Sequence, residues 1–130
     1  MSQNLMHIAL VVKDYNEAIQ YYTEVLKFEL LEDTRLSDTK RWVLVRPKGS
    51  NSCALLLAKA ANDEQKNFIG NQSGGRVFLF LHTDSFDEDH QNLIKYQVSI
   101  IRPPVQETWG RVLVFEDIYG NKWDLIEAKK

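Results

Sequence analysis

The chain has 130 residues, of which 44% are hydrophobic and 26% are charged, and its formal net charge is −2 at pH 7. This composition is typical of one globular domain that is large enough to bury a core. The nearly balanced charge and the lack of a basic stripe argue against nucleic acid as a partner.

The apolar runs and the cysteine content indicate the compartment. The first four residues are polar, and the longest apolar runs, such as residues 8–12, have only the length of a strand. We therefore expect neither a secretion signal nor a membrane partner. The single cysteine, Cys53, cannot form an internal disulfide, which favours a cytoplasmic location.

The first half of the chain predicts the order strand, helix, strand, strand, strand. Asp14 and Glu17 form a capping box at the start of a helix that we expect to end near Lys27. Strands are expected at residues 5–13, 28–35, 41–46 and 53–58, followed by a short helix or ordered loop within 60–69. The glycine-rich residues 70–75 then mark a boundary between two halves.

The second half repeats this order with a period of about 70 residues. An acid-capped helix is expected at residues 84–96, and Asp84 corresponds to Asp14. Strands are expected at residues 77–83, 98–102, 111–115 and 122–127. Each half is too small to bury a core alone, so the two must pair within a chain or between chains.

Two motifs place a polar side chain within an apolar strand. His7 opens a strand and shares a face with Ala9 and Val11, and Asp124 shares a face with Ile126 near the end of the chain. Histidine titrates near neutral pH, and an ionised carboxylate is costly to bury without a partner. We therefore predict that His7 and Asp124 face one cavity, where they are the candidate acid–base pair. A backbone-bonded histidine and a structural ion pair are the plainer alternatives.

Four further residues are candidates for contacting a ligand. Strand parity places Trp109, Arg111 and Phe115 on one face, which would offer a flat apolar wall and a guanidinium for an anionic or carbonyl-bearing molecule. Arg41 and Trp42 point to opposite faces, and we favour Arg41 as the one that reaches the cavity. A role in the core is the alternative for the aromatic residues.

The chain resembles the vicinal oxygen chelate superfamily of glyoxalases, bleomycin-resistance proteins and extradiol dioxygenases. Three segments carry the resemblance: the motif that begins at His7, residues 18–28, and the closing motif 115–125. The resemblance covers essentially the whole chain. It implies an α+β fold of two βαβββ modules, residues 1–60 and 76–130, joined by a connector at 61–75. Their curved mixed sheets would surround a common cleft, with the helices outside.

The resemblance also implies a divalent metal in some members, held by side chains from the first and last strands of each module. Carried over by position, the four ligand slots fall on His7, Leu55, Val77 and Asp124. Leu55 and Val77 have no lone pairs, whereas such ions need three or more protein ligands. We therefore expect no cofactor, although His7 and Asp124 remain the metal candidates if an ion binds.

Three functions remain open on the sequence alone. The chain could be a metal-dependent lyase or isomerase, or a related dioxygenase-like enzyme, that uses His7 and Asp124. It could be a metal-free enzyme with the same two residues as acid and base. It could also bind and sequester an antibiotic or metabolite in an apolar cleft. The resemblance implies a small-molecule ligand and a homodimer, because members commonly complete their clefts across chains.

Overall fold

The structure is a computed structural model that describes residues 1–128. The last two residues of the predicted second module, 129 and 130, lie outside the described residues. The chain divides into two compact units, Met1–Ile69 and Gly70–Lys130, and this division falls inside the predicted connector. None of the helices described over residues 1–128 is long and apolar enough to cross a membrane.

Each unit contains one four-stranded mixed sheet. The strands of the first unit are β1 (His7–Val12), β2 (Glu29–Arg35), β3 (Arg41–Arg46) and β4 (Ala54–Lys59), in the spatial order β1-β4-β3-β2. The strands of the second are β5 (Leu79–Thr83), β6 (Ser99–Glu107), β7 (Gly110–Glu116) and β8 (Lys122–Glu127), in the order β5-β8-β7-β6. In both sheets the first and last strands pair in parallel and the other pairs are antiparallel. The predicted two-module α+β fold is confirmed.

The first helix of the first unit has a side-chain cap at its start and a left-handed residue after its end. Helix α1 (Tyr15–Gln20) continues as a π-helical turn, Tyr21–Val25, and the Asp14 carboxylate accepts a 2.8 Å hydrogen bond from the Glu17 N–H, as the capping box predicts. Lys27, with a φ of 64°, then ends the helix in the left-handed conformation. Helix α2 (Asp63–Lys66) is a single short turn.

Helix α3 (Phe86–Lys95) of the second unit begins without the predicted acid cap. Its N-cap residue is Ser85, and the Asp84 carboxylate accepts a bond from the Ser85 hydroxyl instead of from a helix N–H. Gln97, with a φ of 57°, follows the helix just as Lys27 does in the first unit. The repeat is therefore closer at the helix C-termini than at the N-termini.

One face of each sheet packs against a helix and carries the core. In the first unit this face includes Leu10, Val43, Val45 and Leu57, all without exposed surface, and α1 packs over β3 and β4. In the second unit it includes Leu113, Phe115, Trp123 and Leu125, each at most 3% exposed, and α3 packs on β8. We call these the helix-covered faces, and the other side of each sheet its opposite face.

The turn between β7 and β8 is organised by a buried carboxylate. Asp117, only 5% exposed, accepts hydrogen bonds from the backbone N–H groups of Tyr119 and Asn121, both at 3.0 Å. It also accepts from the Asn121 side-chain amide at 2.9 Å and from the Trp123 indole at 3.4 Å. One side chain thus satisfies four donors of the turn.

We expect Asp117→Ala to lower the free energy of unfolding by about 3 kcal/mol, because it leaves several buried donors unpaired. Urea denaturation followed by circular dichroism measures the change. Asp38→Ala, which removes a largely exposed carboxylate paired only with Arg35, is the control and should cost less than about 0.5 kcal/mol. Equal losses in the two variants would show that the carboxylate does not hold the turn.

Candidate functional site

The opposite face of the first sheet carries an aromatic pair. His7 lies at the start of β1 and Trp42 on β3, and their rings meet edge to face with centroids 5.5 Å apart. Ala54 pairs with His7 and Leu56 pairs with Leu44 in the strand register, which places these apolar side chains on the same face. His7 is exposed and Trp42 half-buried. This face therefore offers an indole in perpendicular contact with an imidazole, set among aliphatic side chains.

The opposite face of the second sheet carries Asp124. Its register partners are Phe80 on β5 and Val114 on β7, and Phe80 is 60% exposed. Partial burial raises the pKa of the Asp124 carboxyl, while the positive charge of Arg102 acts in the other direction. Asp124 is thus a half-buried carboxylate beside an exposed phenyl ring, with one guanidinium near enough to affect it.

The structure corrects the predicted position of Arg41. This side chain lies on the helix-covered face, where it donates to both Asp33 oxygens, at 3.0 and 2.6 Å, and to the Asn16 side chain at 2.8 Å. Its guanidinium also lies 5.2 Å from the centre of the Tyr15 ring. Trp42, which the sequence ranked below Arg41, is therefore the residue on the face of His7.

Arg111 and Phe115 also lie on a helix-covered face, contrary to the predicted ligand wall. Arg111 bonds Asp87 and Glu127, both at 2.8 Å, and its guanidinium lies 4.6 Å from the centre of the Phe86 ring. These bonds lower the pKa of both carboxyls. Phe115 is buried in a stacked contact with Trp123. The Arg111 guanidinium therefore ties the sheet to α3, while the Phe115 ring packs within the core.

Trp109 and two of the metal slots also lie elsewhere than expected. Trp109 is in the turn between β6 and β7 and is 43% exposed. Leu55 is buried on the helix-covered face with Val45, and Val77 precedes β5. Because side chains alternate, Ala54 and Leu56 are the β4 residues on the opposite face, and they too lack lone pairs.

The donor set does not fit the metal that the resemblance implies. Within residues 1–128, no group of three or more histidine, cysteine, aspartate or glutamate side chains is placed to hold an ion. His7 and Asp124 supply two of four ligands, and the other positions are apolar. A divalent ion with so few protein ligands would bind weakly, and we derive no chemistry through one.

Sequence reasoning gave too little weight to Trp42, Phe80 and Arg102. The signal for Trp42 was present, since Val43 and Val45 are β-branched and typical of a covered face, which leaves Trp42 and Leu44 for the other. Phe80 lies directly opposite Asp124 in a parallel pair, a relation that strand spacing alone does not give. Arg102 follows a register shift in β6, which no local pattern indicates.

We expect Asp124→Asn to stabilise the protein at neutral pH. Because the folded-state pKa is raised, the stability associated with the protonated carboxyl is fully present below the ordinary value of 3.8 and is lost as the pH rises through the raised value. The asparagine variant avoids this loss. Thermal unfolding over a pH series should show a gain that disappears in acid, while Asp38→Asn controls for the change in net charge. A constant difference at every pH would rule out the effect of burial.

Comparison with known proteins agrees with this architecture. The family model Glyoxalase/Bleomycin resistance protein/Dioxygenase superfamily matches residues 4–125. An uncharacterized protein of Shewanella frigidimarina (strain NCIMB 400) is 54% identical over 98% of this chain and 95% of its own. The crystal structure of UcmS2 has a TM-score of 0.84 at 26% identity, covering 98% of this chain and all of that one.

A second solved structure is an antibiotic-binding protein. TnmS3 from Streptomyces sp. CB03234 has a TM-score of 0.75 at 28% identity and covers 99% of this chain and 98% of its own. Since the family model spans nearly the whole sequence and both units have the expected strand order, the chain belongs to the glyoxalase/bleomycin resistance protein/dioxygenase superfamily.

Proposed function

We propose that this protein binds a flat, largely apolar small molecule on the opposite face of its first sheet, without a resident metal. The observation that carries the proposal is the edge-to-face contact between His7 and Trp42. Such a contact restricts the orientation of the indole, and the half-buried indole supplies an aromatic surface for a planar ligand. The half-buried Leu44 and Leu56 side chains on the same face add apolar area.

The polar groups near this surface suit recognition. The ring nitrogens of His7 can take part in hydrogen bonds with a ligand. A few fixed polar groups in an apolar surface orient a ligand. The similarity to TnmS3, an antibiotic-binding protein, supports the same class of ligand. The lyase alternative needs a metal ligand set that the side chains do not supply.

The ligand proposal predicts that Trp42→Ala weakens binding. A thermal-shift screen of antibiotics that contain a planar aromatic group, starting with an anthracycline and with bleomycin, which carries a bithiazole, identifies a ligand. Calorimetry then measures its affinity. We expect a loss of about tenfold or more, because an aromatic contact and its buried area are worth about 1.5 kcal/mol. Added Zn²⁺ or Mn²⁺ should leave the affinity unchanged.

Two matched variants complete that experiment. Tyr96→Ala removes an aromatic ring from the C-terminal end of α3 and should bind the ligand normally. Trp109→Ala tests the exposed indole that the sequence favoured. Binding that survives in Trp42→Ala, or that is lost only in Trp109→Ala, would contradict the assignment of the surface to Trp42.

We also propose that the protein is a cytoplasmic homodimer. Leu5 and Met6, just before β1, are 73% and 67% exposed, and Phe80 of the second unit is 60% exposed. Large exposed apolar side chains are typical of an interface. Sedimentation equilibrium should give twice the chain mass, and Leu5→Ser with Met6→Ser should shift the mass toward the monomer. A wild-type protein that sediments as a monomer at all accessible concentrations would exclude the dimer.

A further inference from the structure

The second unit contains a cavity of about 250 Å³ that the proposed function does not use. It lies between the glycine-rich segment, residues 70–76, and the turn that joins β7 to β8. Charged and polar side chains form much of its wall, among them Arg76, Glu116, Asn121 and Lys122. The cavity is smaller than the 300–1,000 Å³ typical of drug-sized ligands, which restricts any occupant to a small molecule.

The walls of this cavity are fixed by the fold. Gly70 has a φ of +76° and packs so closely on the turn that a Cβ atom there would lie 1.9 Å from the Tyr119 carbonyl oxygen. The Lys122 ammonium donates a 3.0 Å hydrogen bond to the Gly75 carbonyl. The turn itself is held by Asp117. The glycine-rich segment is therefore anchored to the turn at two points.

One wall residue has an unused hydrogen-bond acceptor. Asn121 is only 2% exposed, and its Nδ2 group donates to Asp117 at 2.9 Å. Its Oδ1 atom is buried and has no hydrogen-bond partner among the residues of 1–128. An unpaired buried acceptor is unfavourable, and this one belongs to a residue that lines the cavity.

Charges of both signs are also available. Glu116 and Lys122 are register partners at the end of the sheet, yet the ion pairs found across residues 1–128 do not join them. The Glu116 carboxylate lies beside Gly120, 3.9 Å from where a Cβ atom would be. The Arg76 side chain is exposed. A simple anion would be repelled by Glu116, and a simple cation by Arg76 and Lys122.

We propose that this cavity binds a small zwitterion of amino-acid size. Its ammonium group would donate a hydrogen bond to the Glu116 carboxylate. Its carboxylate would accept hydrogen bonds from the Arg76 guanidinium and the Lys122 ammonium, which are charge-assisted and favourable. This site is separate from the Trp42 surface, and its occupancy does not depend on the proposed function.

Titration of the ¹⁵N-labelled full chain with L-alanine tests the proposal. We expect saturable chemical-shift changes at the backbone amides of Gly75 and Gly120 and at the Asn121 side-chain amide. Glu116→Gln and Arg76→Gln should each weaken binding about fivefold or more, the loss of one charge-assisted contact. Glu88→Gln, on an exposed position of α3, is the matched control and should bind L-alanine as the wild type does.

Single-charge probes and a separate variant distinguish the outcomes. Acetate and methylammonium should each bind more weakly than L-alanine, and Trp42→Ala should bind L-alanine normally. The proposal is overturned if L-alanine causes no saturable shift in a protein whose spectrum is otherwise native. It is equally overturned if acetate binds as tightly as L-alanine and Glu116→Gln has no effect. Neither result would affect antibiotic binding at Trp42, so the two proposals fail independently.

Discussion

The parallel pairing of the first and last strands in each unit is the constraint that determines which side chains lie on the opposite face of each sheet. In the first sheet this pairing aligns His7 with Ala54, and in the second it aligns Phe80 with Asp124. Because side chains alternate strictly along a strand, one register determines the composition of both faces at once. A shift of one residue in β4 would bring Leu55 to the face of His7 and would take Leu56 away. The chemistry available to a ligand is thus decided by backbone pairing.

The two units use an arginine in the same structural way, at positions 70 residues apart. Arg41 lies over the Tyr15 ring and Arg111 over the Phe86 ring, and each ring belongs to the first residue of a helix. The Arg41 guanidinium also bonds the Asp33 carboxylate, and the Arg111 guanidinium bonds those of Asp87 and Glu127. A planar cation that stacks on a ring and bonds carboxylates at its edge suits this task better than lysine would. These arginines therefore hold each helix against its sheet.

The sequence predicted the order of the elements because hydrophobic periodicity and capping are local signals. It predicted β3 and β8 at their observed limits. The sequence could not show which face of β3 is covered. Arg41, at the end of that strand, is compatible with either face, because the residues that bind it are distant in sequence. Asp33 and Asn16, which bind Arg41, are such partners. The role of Asp117 was also missed, since a buried turn carboxylate has the same sequence signature as a surface one.

The mismatch between the ligand slots and a metal site does not depend on the exact alignment with the superfamily. Moving one position either way from Leu55 gives Ala54 or Leu56, and moving from Val77 gives Arg76 or Phe78. None of these side chains coordinates a divalent ion in the way that histidine or a carboxylate does. His82 does share the face of Asp124 through its pairing with Ile126, but two donors remain fewer than a stable site requires. Leu55 instead packs in the core of the first unit, with Val45, so this slot has a structural role that a metal ligand could not fill.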